Sequence, residues 1–158
     1  MNMIQLLQSL PDIIIIALTI FCEGEGEPFA GKILIADTIV NRALIYKKSL
    51  RNICLERRGK SKFHQYSCWN NYSLVLSKLK NKKANSQAWK ECLDIAKQIS
   101  NPDYIPSSRV THYLNPKLVK KLPKWTNVYN KVAVVENHIF YSEISLEFWN
   151  TIKRKNNK

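Results

Sequence analysis

Residues 11–28 read Pro-Asp-Ile-Ile-Ile-Ile-Ala-Leu-Thr-Ile-Phe-Cys-Glu-Gly-Glu-Gly-Glu-Pro. Pro11 suits the first turn of a helix, and Gly24 and Gly26 end that helix near Glu23. The apolar run Ile13–Ile20 is too short to span a bilayer, which takes about 20 apolar residues. No Lys or Arg precedes it as a secretory signal requires, and acidic residues follow where such a signal has small ones. The stretch is therefore predicted to be a helix buried in a globular core, with no membrane span.

A second helix opens at Pro28, its apolar positions Ile33, Ala36, Val40 and Leu44 recurring at helical spacing. Asn52 to Asn71 is basic, aromatic and irregular, and reads as a long loop. Tyr72 to Leu79 suits a short helix. Asn85 to Ser100 suits a longer one, with Ala88, Cys92, Ile95, Ala96 and Ile99 on one face. Beyond the Asn101-Pro102 break the pattern becomes β-branched and alternating, at Val110–Leu114, Lys131–Glu136 and His138–Ser142, with Asn137 as a turn residue. Pro116 to Leu122 reads as a short basic helix, and the charged tail, residues 151–158, as frayed. The sum is an α+β chain, one domain over 1–158: a helical body with a small antiparallel sheet late in the sequence.

At 158 residues, one hydrophobic core forms without staples. Twenty-five Lys and Arg against 12 Asp and Glu leave a net charge of +13 and a pI near 9.7. Such a field draws polyanions: nucleic acid, anionic lipid or an anionic cell envelope. It names a class of partner and no reaction. Cys22, Cys54, Cys68 and Cys92 form no CxxC pair or zinc-finger spacing. Buried free thiols are expected, with a Cys54–Cys68 disulfide open only in an oxidising compartment.

Glu23, Glu25 and Glu27 form the densest acidic cluster of a basic chain. Three carboxylates would repel a phosphate, and the spacing does not fit an EF-hand. Glu27 precedes a helix N-terminus, which favours its anion. Glu25, between two glycines, faces solvent. Glu23 ends the most apolar helix, and apolar surroundings favour the neutral acid that a general acid needs. A solvated helix-end glutamate is the plainer alternative for Glu23.

The stretch Phe21 to Asn41-Arg42 resembles the opening motif of the cell wall hydrolase family typified by the spore cortex-lytic enzymes, the SleB/CwlJ type. Further segments keep that family's order: Ile53-Cys54, Gln65-Tyr66-Ser67-Cys68-Trp69-Asn70, Thr111-His112-Tyr113 and His138-Ile139-Phe140-Tyr141. The resemblance covers about residues 14 to 142. It implies a mostly helical, lysozyme-like (lytic transglycosylase-like) domain with a glycan groove between two lobes. It also implies cleavage of peptidoglycan between N-acetylmuramic acid and N-acetylglucosamine, with the motif's first glutamate, here Glu23, as catalytic acid. The second lands on Glu27, expected with Asn41 to support the site. Two departures stand beside the catalyst: Cys22 where the family usually has Gly, and Glu25 where it often has Arg.

A lytic transglycosylase can use one glutamate, and no second acidic motif accompanies the later segments, so a 1,6-anhydro product is favoured over hydrolysis by a muramidase. Tyr66, Ser67, Trp69, His112, Tyr113, His138 and Tyr141 are the candidate substrate-binding residues, since aromatic faces pack on pyranose C–H faces. The lone histidines read as groove or structural residues and not metal ligands; no metal or cofactor is expected. The rival is a nucleic-acid module in which Arg57, Arg58, Lys60 and Lys62 track a backbone while Phe63, Tyr66 and Trp69 stack bases. It carries no recognised nucleic-acid motif. A monomeric, phage-endolysin-like enzyme is expected, made in the host cytoplasm without a signal peptide. It would act on the cell wall after release, its charge suiting an anionic envelope. Membrane disruption by Pro116–Leu122 and the tail could accompany hydrolysis.

Overall fold

The computed structural model describes residues 1–81 and 86–156. Seven helices are present among them: α1 (Met3–Ser9), α2 (Asp12–Gly24), α3 (Phe29–Tyr46), α4 (Leu50–Cys54), α5 (Tyr72–Lys80), α6 (Ser86–Ser100) and α7 (Leu146–Asn156). Three strands, β1 (His112–Leu114), β2 (Asn130–Val135) and β3 (His138–Ser142), form an antiparallel sheet with β3 in the middle.

Helix α2 runs through the centre of the helical body, touching α3, α4, α5 and α6. Ile15 to Phe21 are buried without a break, including Thr19, whose hydroxyl bonds the Ile15 carbonyl. A helix apolar all round is stable in water only when other elements enclose it. Trp69, Trp89, Cys92, Ile95 and Ile99 supply part of that enclosure. The predicted face of α6 is the one buried; the Asn85 start lies outside the described residues. A smaller core of Ile35, Val110 and Phe140, with Tyr113 and Val135 against it, joins α3 to one face of the sheet.

Several expectations need correction. Helix α1 was not anticipated; Asn2 and Gln5 close a capping box at its start. The loop expected over residues 52–71 begins inside α4 and ends in a 3-10 turn, Ser67–Asn70. Pro116 to Leu122 is not helical. Leu118 and Leu122 are exposed there, so no apolar face meets the core, and Lys117 and Lys121 would repel each other one turn apart. Residues 151–156 are helical and continue α7, whose Trp149 is buried and donates its indole N–H to Asn41 Oδ1 at 3.2 Å; the last two positions of the expected tail, 157–158, lie outside the described residues. In the β2–β3 hairpin the left-handed position falls on Glu136 (φ 48°), next to Asn137.

All four cysteines are free. Burial pushes the Cys54 and Cys92 thiols up to about 12. Burial and a hydrogen bond with the Cys22 thiol push the Cys68 thiol well up. Among the described residues no helix is long and apolar enough to cross a membrane.

Candidate active site

Glu23 stands at the last turn of α2, half-buried. Its Oε1 accepts the Cys68 backbone N–H at 2.8 Å, with the Ser67 hydroxyl at 3.4 Å. These donors come from the start of the 3-10 turn, where the first amides have no partner within the turn. Its Oε2 accepts the Tyr113 hydroxyl at 2.7 Å. Burial, then the Glu23 charge, holds the Tyr113 phenol well above its ordinary range, so it remains a donor. The carboxylate is thus gripped from two sides by segments 45 and 90 residues away.

Glu27 follows the turn at Gly26, whose φ of 83° is easily reached only by glycine. Its side chain is almost wholly enclosed, and Oε1 meets His138 Nδ1 at 2.7 Å. Oε2 has no partner. Gly31 makes room for it: a methyl there would come within 3.1 Å of that oxygen. The His138 ring stands edge-on to Tyr113 at 5.4 Å. Glu27, His138, Tyr113 and Glu23 therefore lie in one row, with a hydrogen bond at each end and a ring-edge contact between His138 and Tyr113. Glu25 is exposed and paired with Lys78, so the charge that departs from the family pattern is met by a cation.

The remaining candidates divide. Tyr66 and Trp69 are buried: the Trp69 indole N–H donates to Thr19 Oγ1 at 2.9 Å, and the Tyr66 hydroxyl meets Thr38 at 2.9 Å. A ring closed inside the core has no face for a sugar, nor for a base, so neither walls a groove. Their spacing gave no sign of this, since a motif marks importance without saying which side of the chain is wet. Tyr141 is nearly buried under Trp125. His112 is half-buried on the sheet face away from Tyr113, since neighbours in a strand point oppositely. Burial, then Arg42, lowers it to about 4, so it is neutral near pH 7. Phe63 remains exposed without the two rings expected beside it.

Asn41 anchors the segment that leads into β1. Its Nδ2 donates to the carbonyls of Ser108 and Val110, both at 2.8 Å. Asp37, one turn earlier on α3, accepts from Tyr104 Oη, Ser107 Oγ and the amides of Ser107 and Ser108. Burial raises its carboxyl, against those donors. Sequence reasoning missed Asp37; a lone acid within the apolar periodicity of α3 was the available signal. It also missed Trp125 and Tyr129, which fall in a stretch with no helical or strand period. Among the described residues, no group of three His, Cys, Asp or Glu is disposed to hold a metal.

A family model described as Cell Wall Hydrolase matches residues 26–141. The match includes Glu27 and begins three residues after Glu23. Among solved structures, the chain is similar to the catalytic domain of the germination-specific lytic transglycosylase SleB from Bacillus anthracis. The TM-score is 0.54 at 22% identity, over 83% of this chain and 93% of that one. At that identity the likeness speaks for the fold, and it agrees with the mostly helical, transglycosylase-like α+β domain expected. No curated protein matches the chain.

Proposed function

The chain belongs to the cell wall hydrolase family, and from that premise we propose that it cleaves the glycan strand of peptidoglycan with Glu23 as its single general acid and base. The observation that carries this is the grip on Glu23: one carboxylate, half-open to solvent, held by Tyr113 O–H and Cys68 N–H. Glu27, the other conceivable acid, is closed in and engaged with His138, so it cannot reach a glycosidic oxygen without breaking that pair.

The Glu23 carboxyl gives its proton to the glycosidic oxygen as the C1–O bond of the muramoyl residue breaks. The carboxylate left behind keeps its two donors, which meet the new charge without rearrangement. It then takes the proton of the muramoyl 6-hydroxyl as that oxygen closes on C1. The acid is restored and a 1,6-anhydro ring is formed. The similar SleB domain is that of a lytic transglycosylase, which supports this outcome. Hydrolysis has one observation in its favour: His138, oriented by Glu27, lies beside Tyr113 and could take a proton from water.

Glu23→Gln tests the assignment. Lysis of purified cell walls should fall by about three orders of magnitude, with the circular dichroism melt unchanged; near-normal lysis rules Glu23 out. Mass spectrometry of the released muropeptides separates the outcomes, because reducing-end muramic acid without anhydro product would exclude the transglycosylase route. The net charge of +13 supports action at an anionic envelope, as for an endolysin reaching the wall from inside its host. Lysis that is indifferent to ionic strength would remove that role for the charge.

A further inference from the structure

Four rings gather on the sheet face opposite Tyr113 and Phe140. Trp125 and Tyr129 stack at 5.9 Å and 23°, and His112 lies 5.0 Å from each. Tyr141 meets Trp125 edge-on at 5.2 Å. Trp125, Tyr129 and His112 are all half-buried. Neither Trp125 nor Tyr129 packs against either hydrophobic core. Aromatic rings clustered outside the core keep part of their surface in water, which folding alone gives no reason to leave there.

Interior contacts lead from the Glu23 site toward the edge of the sheet that carries the cluster. Tyr113, the donor to Glu23, touches Tyr66 at 6.4 Å, and the Arg42 guanidinium lies over both the Tyr66 ring (5.6 Å) and the Tyr46 ring (5.9 Å). Tyr46 donates its hydroxyl to Glu143 at 2.6 Å, and Glu143 follows Ser142, which pairs across the β2–β3 ladder with Asn130, the residue after Tyr129. Contacts through the interior therefore run from Tyr113 by way of Tyr66, Arg42 and Tyr46 to Glu143.

We propose that Trp125 and Tyr129, backed by His112 and flanked by Tyr46 and Glu143, form a subsite for an N-acetylhexosamine residue of the glycan strand, remote from the bond that is cut. This rests on the peptidoglycan reading above and adds where the strand is held. The occupant is chosen by chemistry: a pyranose presents an apolar C–H face to an aromatic ring and hydroxyls at its rim. Glu143, whose second oxygen has no partner among the described residues, can accept from those hydroxyls. His112 stays uncharged near neutral pH, so the platform suits a neutral sugar better than an anion.

The tryptophans supply the test. Trp69, Trp89 and Trp149 are buried, leaving Trp125 as the ring solvent can reach. Titration of the intact chain with the β-1,4-linked tetramer of N-acetylglucosamine should change tryptophan emission saturably. Tyr129→Ala keeps the reporter and should weaken binding about tenfold; Trp125→Ala should do the same by calorimetry, with circular dichroism showing both variants folded. On cell walls both variants should raise KM and leave kcat within about twofold. The proposal is overturned if saturating tetramer leaves the emission unchanged, if Tyr129→Ala binds within twofold of the parent, or if a single-stranded oligonucleotide and not the sugar gives the response. A lytic Glu23→Gln protein that still shows the sugar response would remove the catalytic assignment and keep the subsite. A dead Glu23→Gln protein in a chain blind to the sugar would do the reverse.

Discussion

Replacing Asn41 by Ala removes one side chain and leaves three polar groups without partners. Asn41 is 1% exposed, and it donates to the carbonyls of Ser108 and Val110 while accepting the Trp149 indole N–H. Val110 and Trp149 are themselves buried, so water cannot replace the lost partner; Ser108 is partly open and loses less. At about 1–3 kcal/mol for each buried group left unpaired, the cost should be about 3 kcal/mol. For a domain of this size that lowers Tm by about 6–12 °C. Thermal melts followed by circular dichroism at pH 7 measure it. Asn41→Asp is the sharper variant: it keeps the acceptor for Trp149 but turns a charge toward two carbonyl oxygens, and should cost at least as much. The same bonds tie the approach to β1, and hence Tyr113, to α3, so lysis per folded molecule should fall as well. An Asn41→Ala protein melting within 2 °C of the parent would show that these bonds are not what secures the strand.

Gly31→Ala should spare the fold and damage the site. Alanine favours a helix over glycine by about 1 kcal/mol, while its methyl would meet Glu27 Oε2 at 3.1 Å and Val135 at 3.4 Å. Lysis about tenfold lower with an unchanged Tm is expected; full activity would show that the Glu27–His138 pair does not matter. Cys22 should be alkylated first by iodoacetamide near pH 7.5. A hydrogen bond from Cys68 lowers its thiol, against burial and the Glu23 charge, whereas Cys54 and Cys92 are buried and raised. Peptide mapping that finds Cys54 or Cys92 labelled first in folded protein would refute this. His112 makes stability depend on pH in a definite direction. Its native value of about 4 lies below the usual 6.5, so only the unfolded chain takes the proton between them. Its contribution is intact above about pH 6.5 and is lost as pH falls toward 4, by up to about 3 kcal/mol. His112→Asn should flatten that part of the stability curve; an equal slope in both proteins would exclude the effect.

What the amino-acid order determined by itself is local or periodic. The run from Ile13 to Ile20 has to be enclosed whatever surrounds it. The apolar spacing in α3 and α6 sets their inner faces, and the alternation after Val110 announces strands. Motif order marked Glu23 and Tyr113, because residue types at set spacing survive in one dimension. Three matters were left to the tertiary structure. Tyr66 and Trp69 sit in the same short segment as Cys68, yet only the packing of that segment against α2 decides that the rings go inward and the amide goes to Glu23. Pro116 to Leu122 has the composition of a basic helix, but a helix this short needs an apolar partner to bury, and none meets it. Trp125 and Tyr129 are separated by unremarkable residues and gain meaning only where the sheet brings His112 and Tyr141 beneath them. Burial and encounter between distant segments depend on the whole fold, because the free energy of a side chain depends on what surrounds it in space, and its neighbours in sequence are only part of that.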